Sequence, residues 1–308
     1  MTKTLVTGAN GFIARHLAPA VRRIVGGRIA GMGIRPSHDP AFDEWYTGDL
    51  TDHAAVRGAI AAFRPSTVYH LVGRLRGSDE EIAASNVVTS RNLLETLRHI
   101  VPDARVVLMG SAAEYGIVPM ANQPVSETFV GVPTTPYGSA KQQVTALAVA
   151  AAREFDQHVT VARPFNVLGP GVPDALVVGA IVTRLRAALA GPSPRSITIG
   201  RTNAIRDFLA VEDVAEGLVR IAGSGLAGHC YNLCSGEGHT IAEVLERLLA
   251  EVGEPISVSE DETLLRAGDV DQMIGSWHKA QRELGWRPTI RFEDTLYAAW
   301  KASNPTVT

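Results

Sequence analysis

The chain has 308 residues, 45% of them hydrophobic and 20% charged, with a formal net charge of −3. This is ordinary globular usage, with ample length for one large α/β unit or two interlocked domains. The slight negative balance gives a polyanion no foothold, so no nucleic-acid partner is expected, and no apolar run is long enough to span a bilayer. The N-terminus runs straight into a predicted strand, which argues against a signal peptide. Cys230 and Cys234 lie four apart in a predicted strand. Their α-carbons would then be roughly 13 Å apart, too far for a disulfide. They read as buried free thiols in a cytoplasmic protein.

In chain order, Thr4–Thr7 predicts a short buried strand, and Gly8, Gly11 and Ala14 open a helix that runs to about Ile24. A strand, a glycine turn and a helix start present free backbone N–H groups to a pyrophosphate. Gly8 permits the tight turn, Gly11 keeps side chains away from the phosphates, and Ala14 lets the helix pack on the strand. The alternative reading of the turn alone is a plain tight connection. Arg28–Met32 predicts a second strand, and the stretch Gly31-Met32-Gly33-Ile34-Arg35 that ends it has no carboxylate for a ribose hydroxyl. Arg35 is placed to meet a 2′-phosphate, which favours NADP(H) with NAD(H) as the alternative; otherwise it is a solvated loop arginine. After a third strand, Asp49 is the candidate for the adenine amino group, and an acid here also caps the helix Asp52–Phe63.

Thr67–Val72 reads as a fourth strand, apolar enough to be buried on both faces of a parallel sheet. Arg74 and Arg76 follow on the ligand edge, where solvated arginines are also common. Glu80–Ile100 reads as a helix and Arg105–Met109 as a fifth strand ended by Gly110-Ser111. A proline-rich loop leads to Tyr137, a helix runs to about Phe155, and Val159–Ala162 is a sixth strand. This alternation predicts an α/β fold with a Rossmann-like doubly wound parallel sheet. Beyond Pro164 the rhythm changes. Phe165–Pro173 reads as a loop, Leu176–Ala190 as a helix, Ser196–Ile199, Arg206–Val211 and Tyr231–Leu233 as strands, and Ile241–Val252 as a helix. The division expected is a dinucleotide-binding domain over 1–163, with segments near 200–222 returning to it, and a smaller C-terminal substrate-binding domain over 164–308.

Tyr137 and Lys141 stand four apart, on one helix face. A free tyrosine holds its proton with a pKa near 10. A nearby ammonium favours the phenolate, so Lys141 is expected to bring Tyr137 closer to working pH. Ser111 ends a middle strand where it can hold a carbonyl oxygen. The spacing alone also fits an ordinary helix surface. No His/Cys/Asp cluster has metal-ligand spacing, so no metal is expected.

With these pieces in place the chain resembles the extended short-chain dehydrogenase/reductases, the NAD-dependent epimerase/dehydratase family. The matching segments are TGANGFIA at 7–14, GDL at 48–50, YHL at 69–71, GSAAEYG at 110–116, PYGSAK at 136–141, RPFNVLGPG at 163–171, IRDF at 205–208, YNLCSG at 231–236 and LLRAGDVDQMIGS at 264–276. Within that family the chain looks most like the reductases of GDP-linked 6-deoxy-4-keto-mannose, on the glutamate of GSAAEYG, PVSE at 124–127, NLCSG at 232–236, IGS at 274–276 and LGWRP at 284–288. Departures from that branch are Ala14, Val72-Gly73, Val167, Val172, Ala267 and Asp271.

The resemblance implies that Tyr137 is the proton donor, that Lys141 also holds the nicotinamide ribose, and that Ser111 bonds the substrate oxygen. It implies that Gly8, Asn10, Gly11, Phe12 and Ile13 line the pyrophosphate. Asp49 and Leu50 would meet adenine, and Leu71, Val72 and Gly73 the middle of the cofactor. Asn166, Arg206 and Arg266 would hold the phosphates of a sugar nucleotide, where arginine can engage a diphosphate with paired bonds. Surface salt bridging is the alternative for the arginines, and loop stabilisation for Asn166. Glu114 is a candidate for the sugar hydroxyls, with capping as its alternative. Ala112 and Ala113 replace the acids that the family's dehydratases carry, which disfavours dehydration.

The expected activity is NADPH-dependent reduction of the C4 ketone of a nucleotide-linked 4-keto-6-deoxy sugar, GDP-linked by preference. The alternatives are a 4-epimerase with retained NAD and a non-catalytic cofactor-sensing protein. A cytoplasmic homodimer, joined through the helices 83–100 and 141–155, completes the expectation.

Overall fold

Alternate residues of the opening strand face opposite sides of a sheet, and both faces are apolar here. Leu5 and Val6 are fully buried, in two different cores. The computed structural model describes residues 1–261, 263 and 270–303. β1 (Lys3–Thr7) leads through the glycine loop to α1 (Phe12–Ile24), followed by β2 (Arg28–Gly33), β3 (Glu44–Thr47), α2 (His53–Phe63) and β4 (Thr67–His70). Then come α3 (Asp79–Ala83), a π-helical turn (Ala84–Val88), α4 (Thr89–Ile100), β5 (Arg105–Met109), a 3₁₀ turn (Ala112–Tyr115), α5 (Pro136–Phe155) and β6 (Val159–Pro164). The second half holds β7 (Asn166–Leu168), α6 (Val177–Ala190), β8 (Ser196–Ile199), β9 (Ile205–Ala210), α7 (Val211–Ser224) and β10 (Cys230–Leu233). It continues with β11 (Gly238–Thr240), α8 (Ile241–Val252), β12 (Ser257–Glu260), β13 (Gln272–Met273), α9 (His278–Leu284) and α10 (Phe292–Ala302).

Seven parallel strands form the main sheet in the order β10-β6-β5-β4-β1-β2-β3. The order reverses at β1, so a crevice opens beyond the carboxyl ends of β1 and β4. One face is covered through Leu17 and Val21 of α1 and Val214 and Leu218 of α7. The other is covered through Ile60 of α2, Leu93 and Leu97 of α4, and Val144 and Ala148 of α5. Each fully buried leucine contributes roughly 1.5–3 kcal/mol. Helix starts follow local chemistry. Asp52 caps α2 through the Ala54 amide, Thr135 caps α5 through the Gly138 amide with Pro136 behind it, and Thr240 caps α8.

The second layer packs α6, α8 and α10 on β8 and β9. The small sheet β11-β9-β13 also pairs with β7. Asp207 ties the two layers together. Its fully buried carboxylate accepts the Ser235 amide and hydroxyl, both at 2.7 Å, and the amides of Gly236 at 2.9 Å and Gly275 at 3.1 Å.

Several elements differ from the sequence expectation. The predicted loop 165–173 contains β7, whose partner β9 lies about forty residues away in sequence. The predicted helix 80–100 is interrupted by the π turn. β4 stops at His70. β10 joins the main sheet beside β6, although it belongs to the 164–308 segment. Among the described residues no helix is long and apolar enough to cross a membrane.

Candidate active site

The glycine loop sits against the end of β4. Gly8 has φ +70°, and a Cβ there would lie 2.9 Å from the backbone of Leu71 and Val72. The turn is closed by the Gly11 amide bonding Gly8 O at 2.9 Å. Gly11 then begins α1 with no side-chain cap, leaving first-turn amides for an anion. Phe12 and Ile13, half-buried, follow in that first turn. Asn10 has a buried Oδ1 with no hydrogen-bond partner, and Gly33 makes room for it: a Cβ there would lie 2.2 Å away. An uncapped helix start and glycine clearances fit a dinucleotide's pyrophosphate, while the orphaned amide oxygen of Asn10, an acceptor, suits a hydroxyl or N–H donor beside it.

Beside the glycine loop, a cleft of about 590 Å³ is lined by Ala9, Asn10, Arg15, Arg35, Pro36, Ser37 and Asp39. Arg35 is therefore joined by Arg15, which sequence reasoning passed over; its position four residues after Gly11, in the first turn of α1, was the available signal. Asp52, not Asp49, caps α2, while the exposed Asp49 carboxylate accepts the Thr51 amide at 2.8 Å. Leu50 is a core residue at 2% exposure. Leu71 bonds Thr7 O through its amide at 3.1 Å, which keeps β4 and β1 in register up to the crevice. Arg74 pairs with Glu81 at 2.7 Å, and Arg76 donates to Ala175 O at 3.0 Å.

Ser111, Tyr137 and Lys141 converge at the carboxyl edge of β5. The Ser111 side chain neighbours the Tyr137 hydroxyl and favours its ionised form. Ser111 Oγ also accepts the Ala113 amide at 3.1 Å. Lys141 Nζ donates to Met109 O at 2.9 Å and lies 5.8 Å from the centroid of the Tyr137 ring. The sequence expectation that Lys141 lowers the Tyr137 pKa is corrected here. The Tyr137 ring is partly accessible, yet desolvation pushes the phenol up to about 12, opposed by Ser111. Burial also pulls Lys141 down to about 8, and the charge of Glu114 resists that fall.

Asn86, in the π turn, is a further residue that the sequence did not reveal. Its amide nitrogen donates to Arg74 O and Ile82 O, while its buried Oδ1 has no partner. A Cβ on Gly73 would lie 2.8 Å from that oxygen and 3.1 Å from Lys141 Nζ, so the three approach closely. Among helical irregularities, π turns often mark functional positions.

The substrate candidates divide. Glu114 is not free for sugar hydroxyls: its carboxylate caps the 3₁₀ turn and pairs with Arg163, at 2% exposure. Asn166 donates to Asp207 O at 2.9 Å, holding β7 to β9. Arg206, on β9, donates to Ile205 O at 3.0 Å and is half-buried. Arg266, with Ala267, lies outside the described residues. Cys234 is buried and Cys230 partly so, both as free thiols. Among the described residues, no group of His, Cys, Asp and Glu is clustered to hold a metal ion.

The sequence model of the NAD dependent epimerase/dehydratase family matches residues 4–234. The chain is 27% identical to the GDP-6-deoxy-D-mannose reductase of Pseudomonas aeruginosa, over 97% of this chain and 96% of that one. It is 28% identical to a UDP-glucose 4-epimerase of Corynebacterium glutamicum, over 93% and 91% of the two chains. The solved structure of RMD from Pseudomonas aeruginosa complexed with NADPH superposes with a TM-score of 0.83 at 25% identity, covering 98% of this chain and 99% of that one.

The Gly8 contact yields a direct prediction. Gly8→Ala places a Cβ against the end of β4 at a φ that L-residues rarely adopt. NADPH affinity, measured by fluorescence titration, should fall about tenfold or more. Unchanged affinity would remove the loop from the binding site.

Proposed function

We propose that this chain, which belongs to the NAD-dependent epimerase/dehydratase family, is a nicotinamide-dependent reductase of nucleotide sugars. Its substrate on this reading is a nucleotide-linked 4-keto-6-deoxy sugar, GDP-linked by preference, reduced at C4. The observation that carries the proposal is the half-buried Tyr137, beside Ser111 and neighboured by Lys141 close to a dinucleotide-shaped loop. A phenol held near 12 keeps its proton at neutral pH, which is the form a donor to a nascent alkoxide needs.

NADPH, when bound, supplies the hydride to the C4 carbon. Tyr137 donates its proton to the carbonyl oxygen as negative charge grows there. Ser111, with one O–H and two acceptor lone pairs, donates a hydrogen bond to the same oxygen. Lys141 contributes positive charge and keeps the Tyr137 helix docked on Met109 O. Ala112 and Ala113 beside Ser111 supply no acid or base for removing water. The resemblance to the Pseudomonas reductase over nearly the whole of both chains favours this substrate class.

NADPH is favoured over NADH because Arg15 and Arg35 line the adenosine-side cleft and β2 ends without a carboxylate. A 2′-phosphate offers both guanidinium groups charge-assisted bonds. The proposal includes a homodimer through the outer faces of α4 and α5, where exposed Ala146 and half-exposed Ala150 and Ala152 leave room for a close neighbour.

Two measurements test this reading. NADPH consumption with GDP-, dTDP-, UDP- and CDP-linked 4-keto-6-deoxy sugars should give turnover that Tyr137→Phe lowers about 10²–10⁴-fold while leaving NADPH binding intact. Undiminished turnover would take Tyr137 out of the mechanism, and bound cofactor that never undergoes net oxidation would favour the epimerase.

The double variant Arg15→Glu/Arg35→Glu should weaken NADPH binding about 10–100-fold and NADH binding little. Equal losses for both cofactors would contradict the phosphate assignment.

A further inference from the structure

One buried carboxylate lies beside the catalytic pair without entering the proposed reaction. Glu114 Oε1 accepts the Ser111 amide at 2.8 Å. Oε2 accepts the Thr145 hydroxyl at 2.7 Å, two turns along α5 from Tyr137. The same oxygen takes Arg163 Nε at 3.0 Å and Nη2 at 2.9 Å from β6. The turn that carries Ser111, the helix that carries Tyr137 and Lys141, and a central strand therefore meet on one side chain. Gly110 is what admits it, since a Cβ there would lie 2.4 Å from Oε1. Arg163 extends the network by donating to the Tyr115 hydroxyl at 3.3 Å, which donates to Asn232 Oδ1 at 2.7 Å.

A capping box alone would need only Glu114 and Ser111. The contacts to Thr145 and Arg163 go further: they fix the distance between Ser111 and the Tyr137 helix and, with the Ser111 amide, favour the ionised carboxyl against the burial that pushes Glu114 up. We propose that Glu114 is the positioning residue of the proton-donating pair, clamping Ser111 to α5 and setting a fixed negative charge close to Tyr137 and Lys141. That charge favours the protonated form of both groups, Tyr137 and Lys141 alike. Retained protons suit a site that donates to an oxyanion and oppose one that begins by taking a proton from an alcohol. This last step rests on the reductase reading; the clamp does not.

The other ionisable groups facing the pair come from β4, β6 and β10. His70, from β4, is held down to about 3 by burial and by Lys141. Arg163, from β6, is held cationic by Glu114. The Cys230 thiol on β10 is pushed up by burial. Asn86 and Thr89, from the π turn and α4, carry no charge.

The test uses the whole chain without substrate. The sequence holds four lysines, at 3, 141, 279 and 301, so the ε-carbon of Lys141 can be followed by ¹³C NMR and assigned by the loss of its signal in Lys141→Met. Its midpoint should stand near 8 in the unaltered protein and fall by about half a unit or more in Glu114→Gln. Glu114→Gln/Arg163→Gln, which leaves no buried charge unpaired, should show a smaller fall in the same direction and guards against loss of fold. Thr145→Val, which keeps the carboxylate, should not move the midpoint. In turnover, Glu114→Gln should move the alkaline limb of kcat to lower pH and lower kcat about tenfold, with KM for NADPH unchanged. An unmoved Lys141 midpoint in both charge-removing variants would overturn the proposal, whatever the reaction proves to be.

Discussion

Desolvation of Tyr137 and Lys141 at the carboxyl end of the sheet governs the chemistry open to this protein. Removing water disfavours the charged form of each group, so the phenol keeps its proton and the ammonium gives its own up more readily. Neighbouring charge acts on top of that desolvation. Lys141 does not act here as an exposed cation would. It is fastened to Met109 O, and its charge is supported by the carboxylate of Glu114. The phenol, its neighbouring cation and the buried counter-charge form one unit, and the helix α5 carries two of the three.

The sheet supplies the place for that unit. Because strand order reverses at β1, the glycine loop, the end of β4 and the start of α5 open on the same crevice. Polar atoms in a folded interior are normally paired. Here the unpaired buried oxygens of Asn10 and Asn86 lie at the glycine loop and beside Lys141, on the line a dinucleotide would follow. Glycines at 8, 33 and 73 keep those places clear. The second layer is fastened over this edge by Asp207, which joins β9 to the segments following β10 and β13.

Much of this was legible in the sequence where the signal was local. Arg105–Met109 is an apolar run ended by glycine, and Ile241–Val252 is an amphipathic run between Thr240 and Gly253; both were read to the residue. β7 escaped notice because three residues gain their strand identity only from β9. α7 follows β9 directly, and its N-cap, Ala210, has no side chain to announce it. The site shows the same division. The Tyr137–Lys141 spacing and the capping relation of Ser111 and Glu114 are local. The partnership of Glu114 with Arg163, 49 residues away, and the desolvation that raises Tyr137 belong to tertiary structure. That is why the sequence pointed to the ammonium as the dominant influence on the phenol and the folded protein does not. Arg15 was within reach, since a basic residue in the first turn of a phosphate-facing helix is itself a signal.

The central claim is that this site delivers a hydride and a proton to opposite ends of a sugar C4 carbonyl. NADPH carrying deuterium at the transferable position, turned over with a GDP-linked 4-keto-6-deoxy sugar, tests it most directly. The account predicts deuterium bonded to C4 of the product, one per NADPH consumed, whereas a product without deuterium at C4, or label that stays on the cofactor, would contradict it.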